Sequence, residues 1–300
     1  MIDYKLLEAL ATVVECGGFE RAGDTLGLTQ SAVSQRIRTL EIRLGQPVLV
    51  RSPVLAPTPA GRRLLNHVQQ VQLLERDLAR TLPALTERAS RLRIALNADS
   101  LATWWAQIIG DVCTEDELLL DLVIEDQDIG LRRMREGDVA ACLCSSAQPL
   151  AGARCVALGT MHYLPLATPD YALRYFPDGI NPQSLSQAPA IVFGPDDLLQ
   201  HRFLAQCGYD GAFPHHLCPS SEGFVKLACA GLGYGMIPEI QATRELQSGE
   251  LVSLAPGQSL EVPLYWHFWR HSGEALERLT RALVNNRILG SSSKDPEFRS

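Results

Sequence analysis

Apolar residues keep a helical rhythm on both sides of Gly27-Leu28, in the stretch GFERAGDTLGLTQSAVSQRIRTLEIRL from Gly18 to Leu44. Val33, Ile37, Leu40 and Leu44 fall at i, i+4, i+7 and i+11, one stripe that must pack inward. Two helices joined by so tight a turn predict a helix-turn-helix. Ahead of it, Leu6, Leu7, Leu10, Val13 and Val14 predict a first amphipathic helix that stops at Gly17-Gly18. Beyond it, residues 47–51 read as a strand, Ser52-Pro53 as a turn and Leu55-Ala56 as a return strand, a short hairpin or wing. Thr58-Pro59 then reads as N-cap and first helical residue. From there Leu64, Val68, Val71, Leu74, Leu78, Leu82 and Leu85 recur over about eight turns. So long a helix cannot bury its stripe alone, and pairing with a second copy of the chain is expected. Pro83 kinks or ends it near Leu82, which puts a hinge between Leu82 and Ser90.

From Arg91 the pattern changes to apolar runs alternating with helical ones. Strands are expected at 92–97, 118–125 and 139–144, with helices at 101–112 and 129–136; a second set places strands at 190–193, 216–218 and 235–238 and helices at 197–206 and 222–230. That alternation predicts an α/β fold with a parallel sheet covered on both faces. Two similar sets imply two lobes with a cleft between them, and 163–168 and 262–269 are the expected crossing strands. A helix at 275–285 closes the pattern. The expected organisation is a mainly α winged helix-turn-helix domain at 1–58 and a linker helix with hinge at 59–90. A two-lobed effector-binding domain follows at 91–290, with 91–165 and 268–290 in the first lobe and 166–267 in the second, then a disordered or vector-derived tail at 291–300.

Charge sharpens this picture once it is divided. The net charge of −7 argues against nucleic acid, yet residues 1–65 hold eight Lys/Arg against six Asp/Glu, and between Ser34 and Arg63 the balance is six basic to one acidic. A basic head on an acidic protein is the footprint of a small DNA-binding module. The polar face of the second helix carries Gln30, Ser31, Ser34, Gln35, Arg36 and Arg38, with Thr29 as N-cap. Amides and hydroxyls read base edges, and arginines hold phosphate or guanine. Arg51 at the wing tip is placed against phosphate; an ordinary surface arginine is the alternative. A solvated amphipathic helix would carry the usual Glu/Lys mixture, which this face lacks.

Other chemistry is sparse. The eight cysteines form no repeating pair, no secretory segment opens the chain, and no apolar run reaches the ~18 residues of a membrane span, so a cytoplasmic protein with reduced thiols is expected. Cys142 and Cys144 share one face of a strand and read as buried small hydrophobes, while His215, His216 and Cys218 lack a fourth metal ligand. Gly231, Gly233 and Gly235 precede a strand and read as turn glycines. No cofactor, metal or catalytic constellation is expected, so the chain is not read as an enzyme. Polar residues gather instead at strand ends, where α/β sheets bind ligands. Asp99 and Ser100 close the first strand, Glu125, Asp126 and Asp128 the second, Ser145 the third, and Ser221 and Glu222 open a helix of the second lobe. Helix-start hydroxyls suit a carboxylate and clustered acids suit cations; together they suit a basic amino acid. Asp196 and Asp197 are read equally as helix caps.

Through FERAGDTLGLTQSAVSQRIRTLE and Thr58-Pro59-Ala60-Gly61 the chain resembles the LysR-type transcriptional regulators over nearly its whole length. Through NADSLATW (97–104), VIED (123–126), PSSEGFVKLA (219–228) and LYWH (264–267) it resembles the lysine- and arginine-responsive branch of that family. The resemblance implies a winged helix-turn-helix, a periplasmic-binding-protein-like effector domain, and a dimer or dimer of dimers on double-stranded promoter DNA. It further implies lysine or arginine in the cleft, genes of amino-acid export or metabolism as targets, RNA polymerase as a further partner, and no membrane. A regulator answering another small molecule, or a nucleoid-type DNA binder indifferent to ligand, are the alternatives. Pro59 before Ala60-Gly61, and Val48-Leu49-Val50 where the family usually has Phe, depart from its pattern.

Overall fold

The computed structural model of the chain describes residues 3–50, 54–81, 90–115, 118–125, 130–270, 273–286 and 289. Its first helix, α1 (Tyr4–Cys16), starts where the Asp3 carboxylate accepts from the Lys5 amide and stops at Gly17 in the left-handed region. α2 (Phe19–Leu26) and α3 (Gln30–Leu44) follow, joined through Gly27 at φ 64°. The turn is tight enough that a Cβ on Gly23 would lie 2.7 Å from the Leu28 carbonyl oxygen. Leu7, Leu10, Val13, Ala22, Val33, Ile37 and Leu40 are buried together between the three helices.

One position of the expected stripe fails. Leu44 is 39% exposed. The chain turns at Gly45, and Val48 and Leu49, fully or nearly buried, join the same core. They belong to the wing, an antiparallel pair of β1 (Leu49–Val50) and β2 (Ala56–Pro57).

α4 (Pro59–Thr81) is the linker helix. Thr58 Oγ1 accepts from the Gly61 amide at 3.1 Å and donates to the Pro47 carbonyl at 2.8 Å, so one side chain caps the helix and ties it to the wing. A Cβ on Gly61 would lie 2.1 Å from the Val48 carbonyl oxygen. Leu64, Leu65 and Val68 pack on the core of the head, so the first half of the stripe is covered within this chain, whereas Leu74 is half exposed. The helix also packs against two helices of the second half of the chain, described below. Leu82, Pro83, Leu85 and the expected hinge at 82–89 lie outside the described residues, as does the tail at 291–300.

The second half opens with β3 (Ser90–Leu96) and a helical stretch of three parts. These are α5 (Ala98–Ser100), a π-helical turn (Leu101–Trp105) and α6 (Ala106–Glu115). β4 (Leu118–Ile124), α7 (Gly130–Glu136) and β5 (Ala141–Cys144) complete the first lobe, with β3 parallel to both β4 and β5. The long β6 (Ala153–Ala167) leads out of it. In the second lobe come α8 (Pro169–Tyr175), α9 (Pro182–Gln187), β7 (Ala190–Val192), α10 (Leu199–Gln206) and β8 (His215–Leu217). α11 (Ser221–Cys229), β9 (Gly235–Pro238), α12 (Thr243–Ser248) and β10 (Val252–Ser253) follow. β11 (Leu260–Trp269) returns through the cleft and α13 (Gly273–Asn285) packs on the first lobe.

The sheet is mixed, in the order β10-β6-β11-β5-β3-β4 with β9 also on β6, while β7 and β8 pair in parallel beside it. The expectation of parallel strands therefore holds within each lobe but not for the crossing strands, which run antiparallel. β6 begins at Ala153, ten residues before the expected 163, because ARCVALGTMH shows no clean alternation. Register slips between Leu264 and Tyr265, opposite Gly159 at φ 129°, a bulge where the strands pass from one lobe to the other. The largest core group packs Trp104, Trp105 and Trp266 with their rings tilted against one another, and Trp266 Nε1 donates to Thr280 Oγ1 at 2.9 Å. Among the described residues no helix is long and apolar enough to cross a membrane.

Two glycine substitutions test this packing in opposite directions. Gly61→Ala forces a methyl group into the Val48 carbonyl and should cost about 1–3 kcal/mol. Gly110→Ala, inside α6 with nothing near its Cβ position, should stabilise by about 0.5–1 kcal/mol. Urea unfolding of both proteins decides the signs.

Candidate functional site

Two surfaces concentrate polar side chains. The first is the open face of α3. Gln30, Ser31, Gln35 and Arg38 are exposed there and Ser34 is half-buried. Thr29 Oγ1 accepts from the Ala32 amide at 3.2 Å and lies 3.0 Å from Ser31 Oγ, so the helix start is capped by its own first hydroxyl. Arg36 faces the other way. Its Nη1 donates to the Lys5 carbonyl at 3.5 Å and lies 3.9 Å from Glu8, both on α1. Arg38 makes no ion pair among the described residues, and Arg51 lies outside them.

The second is a cleft of about 240 Å³ between the lobes. It opens at the carboxyl ends of β3, β4 and β7, where sheets of this kind leave a crevice. Asp99, at the junction of β3 and α5, sits at its centre. One carboxylate oxygen accepts from Tyr163 Oη at 2.8 Å and the other from Ser221 Oγ at 2.6 Å. Tyr163 belongs to crossing strand β6 and Ser221 to α11 of the second lobe, so a single carboxylate joins three parts of the fold. Burial raises the Asp99 pKa above its ordinary 3.8; the two hydroxyls oppose this and nearby Asp197 adds to it. The single proton of Ser221 goes to Asp99. Gln241 steadies the same residue by donating Nε2 to the Ser221 carbonyl at 3.1 Å.

The remaining acids have different situations. Asp197 accepts from the Phe193 and Leu199 amides at 3.1 and 2.9 Å and is a loop and helix cap. Asp196 is exposed on the rim. Glu125 lines the cleft and is held by Arg133 of α7, Nε to Oε1 at 2.6 Å. Asn97, nearly buried beside Asp99, has neither amide atom paired among the described residues. Among the described residues no Lys or Arg lines this cleft, so its field favours a cation.

Outside the cleft, Cys142 and Cys144 are buried as expected, on one face of β5. Cys142 lies directly across from His267, which lies across from Cys155. His267 Nε2 is 2.7 Å from the Ser146 carbonyl, and the neighbouring Cys142 and His267 side chains hold the Cys144 thiol below its ordinary value. Among the described residues no group of His, Cys, Asp or Glu has the arrangement to hold a metal ion. His215 and His216 are exposed on β8.

Residues 4–62 match the bacterial regulatory helix-turn-helix proteins of the LysR family, and residues 86–286 match the LysR substrate-binding domain. The chain belongs to the LysR family of bacterial regulators. This LysR chain is 63% identical over 286 residues to the HTH-type transcriptional regulator ArgP of Pseudomonas aeruginosa, covering 95% of each, and 40% identical over 290 residues to ArgP of Vibrio vulnificus, covering 94% and 96%. The crystal structure of ArgP from Mycobacterium tuberculosis superposes with a TM-score of 0.87 at 36% identity, covering 98% of this chain and all of that one. Full-length LysG from Corynebacterium glutamicum with bound effector Arg superposes with a TM-score of 0.76 at 35% identity, covering 96% and all. The LysR chain is accordingly a transcriptional regulator with a DNA-binding head, and not an enzyme.

Of the effector residues expected from sequence, Asp99 and Glu125 line the cleft and Ser221 reaches it through Asp99. Ser100 is fully buried behind them with its hydroxyl unpaired among the described residues. Ser145 and Glu222 are not among the lining residues, and Asp126 and Asp128 lie outside the described residues. Tyr163, Gln241 and Arg133 escaped the sequence reading. Tyr163 stands on an expected crossing strand and was legible in principle; Gln241 and Arg133 reach their positions from loop and helix and carry no local signal.

The raised Asp99 pKa fixes a sign. A carboxyl held above its unfolded value binds its proton more tightly in the folded protein, a stabilisation complete below pH 3.8 and lost as pH rises through the raised value. Asp99→Asn removes that loss. Thermal unfolding from about pH 4 to about pH 7 should show the variant gaining on the parent as pH rises, and parallel curves would refute the assignment.

Proposed function

We propose that this regulator senses a basic amino acid, lysine or arginine, in the acidic cleft, and acts on promoters of amino-acid export or metabolism genes. The observation that carries this is the cleft itself, with Asp99 at the lobe junction, Glu125 and Asp196 at its walls, and no lining cation among the described residues. Similarity to LysG with bound effector Arg, and to regulators named ArgP, supports the same ligand class. In this reading the ligand's cationic groups meet Asp99 and Glu125, and Asp126 and Asp128 add to the field, while Ser221, which already donates to Asp99, and the buried Ser100 do not bind its carboxylate. Lobe closure on the ligand then shifts the population of head arrangements.

At the DNA end, Gln30, Ser34 and Gln35 read base edges, Thr29 and Ser31 hold the helix start, and Arg38 and Arg51 hold phosphate or guanine. Arg36, turned to α1, positions the recognition helix. The half-exposed Leu74 on α4 supports pairing with a second copy, which would place two recognition helices on half-sites ~34 Å apart. Dimers of dimers, and contact with RNA polymerase at the promoter, belong to the same reading.

Thermal unfolding against the twenty amino acids tests the sensor. A ligand that binds only the folded state raises the midpoint with ln(1 + [L]/Kd), so lysine or arginine alone should shift it; a flat panel refutes the basic amino-acid effector. Salt titration of duplex-DNA binding tests the head. Arg38→Ala should lower the salt slope by roughly 0.9, the loss of one phosphate contact. Arg36→Ala should leave that slope unchanged and lower the unfolding midpoint instead.

A further inference from the structure

We propose that Arg133 is a positioning residue that couples the cleft to the linker helix, holding Glu125 and Asp138 on one guanidinium and so tying cleft occupancy to how the turn at Gly137 seats on α4. The inference rests on the cationic effector of the preceding section.

Arg133 occupies the last turn of α7. Its Nε donates to Glu125 Oε1 at 2.6 Å, Nη2 pairs with the same carboxylate, and Nη1 lies 3.3 Å from Asp138 Oδ2. The side chain of Glu125 is still 14% exposed and faces the cleft, so a ligand can reach it. Asp138 follows Gly137, whose amide donates to Met134 O and whose φ of 80° ends the helix. A Cβ on Gly137 would lie 2.4 Å from Asn66 Cβ and 2.9 Å from the Arg62 carbonyl, both on α4. The turn therefore rests on the backbone of the linker helix.

α4 is in turn fixed to the head. Gly61 packs against the Val48 carbonyl, and Arg62 Nη1 donates to Pro57 O at 2.8 Å in the second wing strand. The start of α4 and the wing are packed together, and α13 supplies a second contact between α4 and the first lobe. A cation entering the cleft competes with Arg133 for Glu125. The released guanidinium falls to Asp138 alone, and the turn shifts on α4. This supplies a contiguous physical path from ligand to wing through one residue shared between two carboxylates.

Hydrogen exchange of the full-length protein with L-arginine and with L-lysine tests it. In the parent, ligand should change exchange around Asp99 and Ser221 and also along 60–68 of α4, by on the order of tenfold, the usual size of coupling between sites. Arg133→Met should keep the change at the cleft and lose the one on α4. Arg133→Lys, able to hold one carboxylate at a time, and Asp138→Asn, which leaves the Glu125 pair intact, should lose it as well. Arg132→Met, an exposed neighbour, should retain both. A change on α4 that survives in Arg133→Met and Asp138→Asn overturns the coupling, and so does its absence in the parent when the cleft responds; either result leaves the effector reading standing. No response at the cleft to either amino acid overturns the effector reading and this inference with it.

Discussion

A carboxylate enclosed between two lobes must be paired with donors or give up its charge. Asp99 meets this demand by drawing one hydroxyl from crossing strand β6 and another from α11 of the second lobe. The requirement shapes everything around it. β3 must end at Leu96, with Asn97 as cap, for Asp99 to stand at the start of a helix, β6 must run far enough to bring Tyr163 alongside, and α11 must begin with a hydroxyl pointed across the gap. The lobe angle recorded here is the angle at which all three donors and acceptors meet.

The head obeys a steric constraint instead of an electrostatic one. Gly23, Gly27 and Gly61 each stand where a turn or a close backbone approach leaves no room for a side chain or calls for a left-handed backbone. These glycines make the three helices, the wing and the first turns of the linker a single unit. Stripe residues Val33, Ile37 and Leu40 supply its core, with each such buried side chain contributing about 1.5–3 kcal/mol.

Much of this was legible in the sequence because it rests on local signals: apolar periodicity for α1, α3 and α4, the Thr58-Pro59 cap, and alternation of strand and helix from Arg91. The winged head and the two lobes follow from those alone. What escaped was set by distant partners. Arg36 has the type and spacing of a DNA contact, and its guanidinium also lies 3.5 Å from the Lys5 carbonyl and 3.9 Å from Glu8 on α1, partners that spacing does not report. Leu44 has the right phase, but the wing fills its place. Glu125 has the right strand end, and Arg133, eight residues on, already holds it. Short helices α8 and α9 begin at Thr168-Pro169 and Asn181-Pro182, cap signals that were present but stand outside the alternating pattern. Periodicity reports which face is buried, not which charge finds which partner.

The bulge at Leu264/Tyr265 opposite Gly159 has a mechanical meaning. Both strands that join the lobes are continuous and hydrogen-bonded to each other on either side of it. A bulge disrupts the ladder locally, bends the strand that carries it and increases its twist. The gape between the two lobes is therefore tied to the bend at this one place in the ribbon.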